Sequence, residues 1–321
     1  MIVVSCPGQG SQKPGFLAEW LQDDAAKQWL TEVSDQIGID LVKHGTESDE
    51  ETIRSTEIAQ PLIVAAGILA INALRDEIET LPAEQQEAIN ASLRFAGHSV
   101  GEITAAYGAG VFDAATAVRF VAQRAKAMQQ CANANPSGMS AVLGGDPDSV
   151  TAHLESLGLA PANFNGAGQI VAAGSHDNLA TLNSNPPAKA RVIPLKVAGA
   201  FHTAIMAPAR DELAATAAEF AVADPHHPIY TNEDGSLVTS GTEFKAKLIS
   251  QVASPVRWDR CMDAFAVDGI TALVELAPAG ALVGLAKRSL KTTPAKRLDS
   301  PSDTAVTVEF IAEHLTPEQE A

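Results

Sequence analysis

Basic residues are scarce: 22 Lys and Arg stand against 39 Asp and Glu, a formal net charge of −17. A surface this acidic repels nucleic acid and itself, so a soluble chain without a nucleic-acid partner is expected. An anionic partner would need a local basic patch. The candidates come late, at Lys189, Arg191 and Lys196 and again at Lys287, Arg288 and Lys291. Cysteines are also few. Cys6, Cys131 and Cys261 are odd in number, far apart and outside any CxxC or Cys/His spacing, so neither a disulfide framework nor a metal site is indicated. Each reads as a small buried hydrophobe with a free thiol. Long apolar runs are missing: Leu62 to Ile71 has ten residues, where a bilayer span needs about 20. It reads as a buried helix, and no membrane association is expected. The opening "MIVVSCPGQG" has no positive segment and no cleavage pattern, so cytoplasm is the expected location.

What is present is a globular composition, 46% hydrophobic and 19% charged over 321 residues, enough for a large domain with an insertion or for two domains. "MIVVSC" reads as a strand, "PGQGSQ" as a glycine loop, and "FLAEWL" as the start of a helix. "TEIAQPLIVAAGILAINAL" reads as a helix with Pro61 near its start. "ASLRFAG" reads as a strand, "VGEITAAYGAG" as a helix closed by glycine, and Asp113 as the cap of a long helix to about residue 132. From 137 to 198 the rhythm changes to β-α-β-β-α-β, with Asp146 and Ser175 as helix caps, which is the order of a ferredoxin-like unit. Strands alternating with helices then resume, so the fold class is α/β with a parallel sheet in the larger part. The expected organisation is a large discontinuous domain at 1–136 and 199–321, with 137–198 inserted. The end, "LTPEQEA", reads as a frayed tail.

The stretch "GHSVG" fits the GxSxG elbow, in which a tight strand-to-helix turn thrusts a serine above the sheet. The pattern alone is weak, since about one chain in ten of this length carries it by chance. Its setting, a strand before and a helix after, makes Ser99 the candidate nucleophile. A serine nucleophile needs a base. His98 is adjacent, but neighbouring side chains at a strand end face opposite ways, so it packs or supports the turn. His202, where the chain returns to the large domain, is the better candidate. Gln9 in "PGQGSQ" could line a pocket or donate to an oxyanion, or could sit in an ordinary turn. Arg124 shares a helix with Val118, Val121, Ala125 and Met128, where a lone arginine usually snorkels to the surface.

Six segments in this order, "PGQGSQ", "TEIAQPLI", "GHSVGE", "QRAKAMQ", "GAFHTAIM" and "ISQVASPVRW", spanning residues 7 to 258, together resemble the malonyl-CoA:acyl carrier protein transacylases and the related acyltransferase domains of fatty acid and polyketide synthases. The resemblance implies an α/β-hydrolase-like large domain with the ferredoxin-like unit inserted. By motif it implies Ser99 as the acylated nucleophile and His202 as its base. Gln9 and the backbone N–H of Val100 become the oxyanion hole, and Gln251 orients His202 through its carbonyl, so a Ser-His dyad replaces a triad. Arg124 becomes the ligand of the malonyl carboxylate, a role its planar fork suits better than a lysine would. Phe201, before the histidine, together with Val100 implies selection of malonyl over methylmalonyl, a discrimination worth about 1–3 kcal/mol per methyl. Cys6 departs from the family, which often has an aromatic there; packing rather than chemistry is affected.

The reaction so implied moves malonyl from malonyl-CoA to the phosphopantetheine thiol of an acyl carrier protein, for fatty acid synthesis, by ping-pong kinetics in a monomer without cofactor or metal. The carrier is expected at one of the basic clusters, Lys189/Arg191/Lys196 ahead of Lys287/Arg288/Lys291. A polyketide pathway in trans and a malonate decarboxylase system remain alternatives. So do a serine hydrolase or thioesterase, which would have no use for Arg124, and a non-catalytic carrier-binding subunit, which would have no use for Ser99 and His202.

Overall fold

The computed structural model describes residues 1–197 and 199–315, so the tail expected at the end lies outside them from residue 316 onward. The β-branched opening run forms β1 (Ile2–Cys6), buried throughout, as in a parallel sheet covered on both faces. "FLAEWL" departs from expectation. It lies in turns and one 3-10 turn, and helix α1 (Asp24–Ile37) begins only where the Asp23 carboxylate accepts the N–H of Ala26. Asp23 supplies the N-cap that the earlier residues lack. Short helices α2 (Leu41–Thr46) and α3 (Glu50–Arg54), each opened by an aspartate cap, lead to α4 (Thr56–Glu79). Pro61 lies in the second turn of α4 rather than at its start, at the cost of one helical hydrogen bond.

Next come α5 (Ala83–Ser92), β2 (Leu93–Gly97), α6 (Gly101–Ala109) and α7 (Ala114–Ala134). Asp113 caps α7, accepting from Thr116 N–H at 2.6 Å. By length and composition α4 could cross a bilayer, but 78% of its apolar window is buried inside the protein, where it packs against α6 and α7. It is a core helix.

The middle section runs β3 (Gly138–Gly144), α8 (Pro147–Ser156), β4 (Ala160–Gly166), β5 (Gln169–Gly174), α9 (His176–Ser184) and β6 (Ala190–Pro194). The chain continues through α10 (Ala207–Ala215), β7 (Ile229–Tyr230), β8 (Leu237–Val238), α11 (Gly241–Gln251), β9 (Val256–Arg257), α12 (Trp258–Val267), β10 (Ala272–Leu276), α13 (Ala281–Ser289), β11 (Ala295–Leu298) and α14 (Thr304–Glu313).

Two sheets result. One has the order β11-β10-β1-β2-β7-β8, parallel except for the β7/β8 pair. The other has the order β6-β3-β5-β4-β9, antiparallel among its first four strands. Its fifth strand, β9, pairs in parallel with β4 and comes from well beyond residue 198, so the second sheet draws on more chain than the β-α-β-β-α-β stretch alone. That sheet has its own apolar cluster, built around Val142, Val150, Leu154, Ile170 and Leu182. A mixed α/β fold with a mainly parallel sheet is therefore established, and the site lies where the two sheets meet.

Candidate active site

Ser99 stands between the end of β2 and the start of α6, with φ at 55°. A non-glycine residue in this left-handed region costs about 1–3 kcal/mol. The flanking glycines let the turn close: a Cβ on Gly97 would meet the backbone of Gly101 at 2.0 Å, and one on Gly101 would meet the Cys6 carbonyl at 2.1 Å. Asn232, fully buried after β7, clamps the turn from outside. Its Oδ1 accepts the Ser99 N–H at 2.7 Å, and its Nδ2 donates to the Gly97 carbonyl at 2.7 Å.

Ser99 Oγ and His202 Nε2 are 2.7 Å apart, and both side chains are buried. On the other side of the ring, Nδ1 lies 2.9 Å from the Gln251 carbonyl. A carbonyl only accepts, so Nδ1 carries the proton and Nε2 is left to accept from the serine. Burial, and then the nearby Arg124 charge, depress the imidazole to about 3, so it is neutral at physiological pH. Among the described residues no carboxylate bonds it. His202 also takes a left-handed φ of 61°, and Phe201 beside it is buried against the cavity.

Arg124 does not snorkel. It is 1% exposed on α7, and its Nη2 lies 3.3 Å from Ser99 Oγ. Its fork is held by two neutral amide oxygens, Gln60 Oε1 on Nη1 at 2.6 Å and Gln251 Oε1 on Nη2 at 2.8 Å. Among the described residues it forms no ion pair. Burial pulls its pKa down to about 10, opposed by the charge of Glu102, and it remains a cation.

A cavity of about 360 Å³ opens over these groups, walled by Gly8 and Gln9, by Met139, Asn163 and Val171 of the second sheet, and by α13. The Gln9 side-chain amide does not point at Ser99. It donates to the Arg54 carbonyl and Thr56 Oγ1, acceptors supplied by the junction of α3 and α4. What Gln9 can offer an oxyanion is its backbone N–H, which, like that of Val100, has no acceptor among the described residues. His98 supports the turn. Its Nε2 bonds Asn165 Oδ1 on β4 at 2.8 Å and its ring lies edge-on to Trp258. Of the basic clusters, Arg288 lines the cavity and bonds Gln169; Lys189, Arg191 and Lys196 do not line it. β6, which carries Arg191, is the edge strand of its sheet, whereas α13 is a cavity wall.

The expected residues Ser99, His202, Arg124, Gln251, Val100, Phe201 and Gln9 thus converge, the last through its main chain. Three further residues hold them and were not singled out from sequence: Gln60, Asn232 and Glu102. Two of them lie inside the quoted motifs "TEIAQPLI" and "GHSVGE", which was the available signal.

Comparison with known proteins agrees. The family model for the acyl transferase domain matches residues 3–318. The chain is 47% identical over 303 residues to the Mycobacterium tuberculosis protein named malonyl CoA-acyl carrier protein transacylase, covering 94% of this chain and 98% of that one. Its structure superposes on the crystal structure of MCAT from M. tuberculosis with a TM-score of 0.88 at 46% identity, over 97% and 99% of the two chains. A second solved neighbour, a type II PKS acyl-carrier protein in complex with its malonyl-transacylase, gives a TM-score of 0.86 at 29% identity over 96% and 99%. The fold and the match place the chain among acyltransferases, and within them it belongs to the malonyl CoA-acyl carrier protein transacylase family.

Proposed function

We propose that this chain transfers the malonyl group from malonyl-CoA to the phosphopantetheine thiol of an acyl carrier protein, through a malonyl ester on Ser99. The observation that carries the reading is the buried guanidinium of Arg124, held by neutral amides, with no carboxylate in ion-pair contact among the described residues, and 3.3 Å from the serine oxygen. A malonyl carboxylate supplies the missing anion; an acetyl or long acyl chain does not. A hydrolase of neutral acyl esters would gain nothing from burying that charge.

In the first half-reaction His202 Nε2 takes the Ser99 proton as Oγ attacks the thioester carbonyl. The oxyanion is met by the N–H groups of Val100 and Gln9. The tetrahedral adduct collapses, the C–S bond breaks, and His202 returns the proton to the departing CoA thiolate. The carrier thiol then attacks the ester by the reverse sequence, leaving Ser99 free. Gln251 fixes the tautomer through its carbonyl, and Phe201 limits room for an α-branch.

The finer architecture follows the same reading: an α/β-hydrolase-like domain at 1–136 and 199–321 and a ferredoxin-like one at 137–198. The strand order β6-β3-β5-β4 of the second sheet supports the latter. Action as a monomer in the cytoplasm belongs to the same proposal. Fatty acid synthesis is the proposed pathway. The test is the product: with malonyl-CoA and a purified holo carrier, the enzyme should yield malonyl-carrier thioester rather than free malonate. Fatty acid and polyketide carriers compared side by side identify the pathway.

A further inference from the structure

Glu102 is a buried carboxylate at the start of α6, three residues beyond the serine, and no step above uses it. Each of its oxygens accepts an N–H: Oε1 from the Asn232 backbone at 2.6 Å and Oε2 from Gln251 Nε2. The same Gln251 amide turns its oxygen to Arg124 Nη2. An amide has a donor end and an acceptor end, so whatever binds one end dictates what the other offers. Once ionised, the Glu102 carboxyl only accepts, and so it takes the NH2 group and leaves the carbonyl facing the guanidinium.

We infer that Glu102 is a positioning residue that acts through the Gln251 amide, aiming Arg124 at the Ser99 pocket while leaving its charge for the incoming acyl carboxylate. This rests on reading Arg124 as the partner of that carboxylate. A carboxylate placed directly on Arg124 would hold the fork equally well, but the substrate would then meet a neutralised pair. Setting it one amide away separates holding from neutralising. The titratable groups around Glu102 are Arg124 on α7, Lys247 on α11 and Cys261 on α12. Burial raises its carboxyl to about 8, opposed chiefly by the Asn232 N–H and Arg124. Arg124 stays charged, Lys247 is raised and stays charged, and Cys261 is raised and stays neutral, so Glu102 is the member of this set that titrates between pH 7 and 9.

The test is the ratio of kcat/KM for malonyl-CoA to that for acetyl-CoA, in which any misfolded fraction cancels. In Glu102→Gln the single new carbonyl goes to Asn232 N–H, and the new NH2 faces Gln251. Gln251 then keeps only the Ser99 carbonyl, at 3.2 Å, as a firm acceptor for its NH2, and turning over to meet the new NH2 puts its own NH2 against Arg124, donor against donor. The ratio should fall about tenfold or more, as for loss of a charge-assisted hydrogen bond. In the wild type it should rise from pH 7 to 9, and in Glu102→Gln it should stay level. Introduced into Gln251→Met, Glu102→Gln should lower the ratio no further. An unchanged ratio in Glu102→Gln, or a full further loss in the double variant, overturns the inference. Arg124→Ala run alongside separates the two claims: if it leaves the ratio unchanged, the malonyl reading itself fails, and if it collapses the ratio while Glu102→Gln does not, only the role of Glu102 fails.

Discussion

Arg124 Nη2 and Ser99 Oγ lie 3.3 Å apart, a guanidinium and a nucleophile brought together from α7 and from the turn after β2. On the proposed function the distance ties specificity to chemistry, because a carboxylate gripped by Arg124 would set where the thioester carbonyl lies relative to the serine.

Arg124→Ala should therefore cut malonyl transfer steeply while acetyl transfer holds or improves. A hydrogen bond to a charged group contributes about 1.5–3 kcal/mol, which corresponds to about 10- to 150-fold in kcat/KM. Steady-state kinetics with the two donors decide; equal losses would make Arg124 a structural residue.

The pH profile of serine acylation should lack a histidine inflection near 6.5. His202 is depressed to about 3 by burial and by Arg124, so it remains a free base at every pH above that value and is lost only as pH falls toward it. Single-turnover acylation by acetyl-CoA, which leaves the carboxylate grip out of play, should be level from pH 5 to 7. A drop centred near 6.5 would mean that His202 titrates normally and is more solvated than the fold indicates.

Asn232→Ala should destabilise the protein, because it leaves the Ser99 N–H and the Gly97 carbonyl without their buried partner. About 1–3 kcal/mol for each orphaned group is expected, read as a lower urea midpoint. Loss of activity at unchanged stability would show instead that the clamp serves the chemistry alone.

Charge reversal at Lys287 and Arg288 should raise KM for the carrier and leave Ser99 acylation by malonyl-CoA far less affected, because α13 borders the cavity and its basic end would receive an acidic carrier. The effect should shrink as salt rises, since exposed charges are screened over about 8–10 Å near physiological ionic strength. Reversal at Lys189 and Arg191 is the comparison; a larger KM change there would place the dock on β6.

Much of this was legible in the sequence because it is local. The GxSxG turn needs only five consecutive residues, and the caps at Asp113, Asp146 and Ser175 announce their helices. "FLAEWL" was misleading because its apolar spacing suits a helix, while the cap that could start one comes only at Asp23. The two-residue strand β9 carries no period to detect, and its pairing with β4 is set by tertiary packing. Asn232 and Glu102 escaped for a related reason. Their partners lie 130 or more residues away, and a buried polar network leaves no spacing pattern in the chain. Gln9 lines the pocket, and its side-chain amide is drawn away by acceptors that α3 and α4 supply, which no local pattern in the chain announces.

The central claim is a malonyl ester on Ser99 that is passed to a carrier thiol. Intact-mass measurement tests it most directly: enzyme mixed with malonyl-CoA should gain one malonyl unit, lose it on addition of holo acyl carrier protein as the carrier gains the same mass, and gain nothing as Ser99→Ala. A stable malonyl adduct on Ser99→Ala, or an ester that the carrier does not discharge, would contradict it.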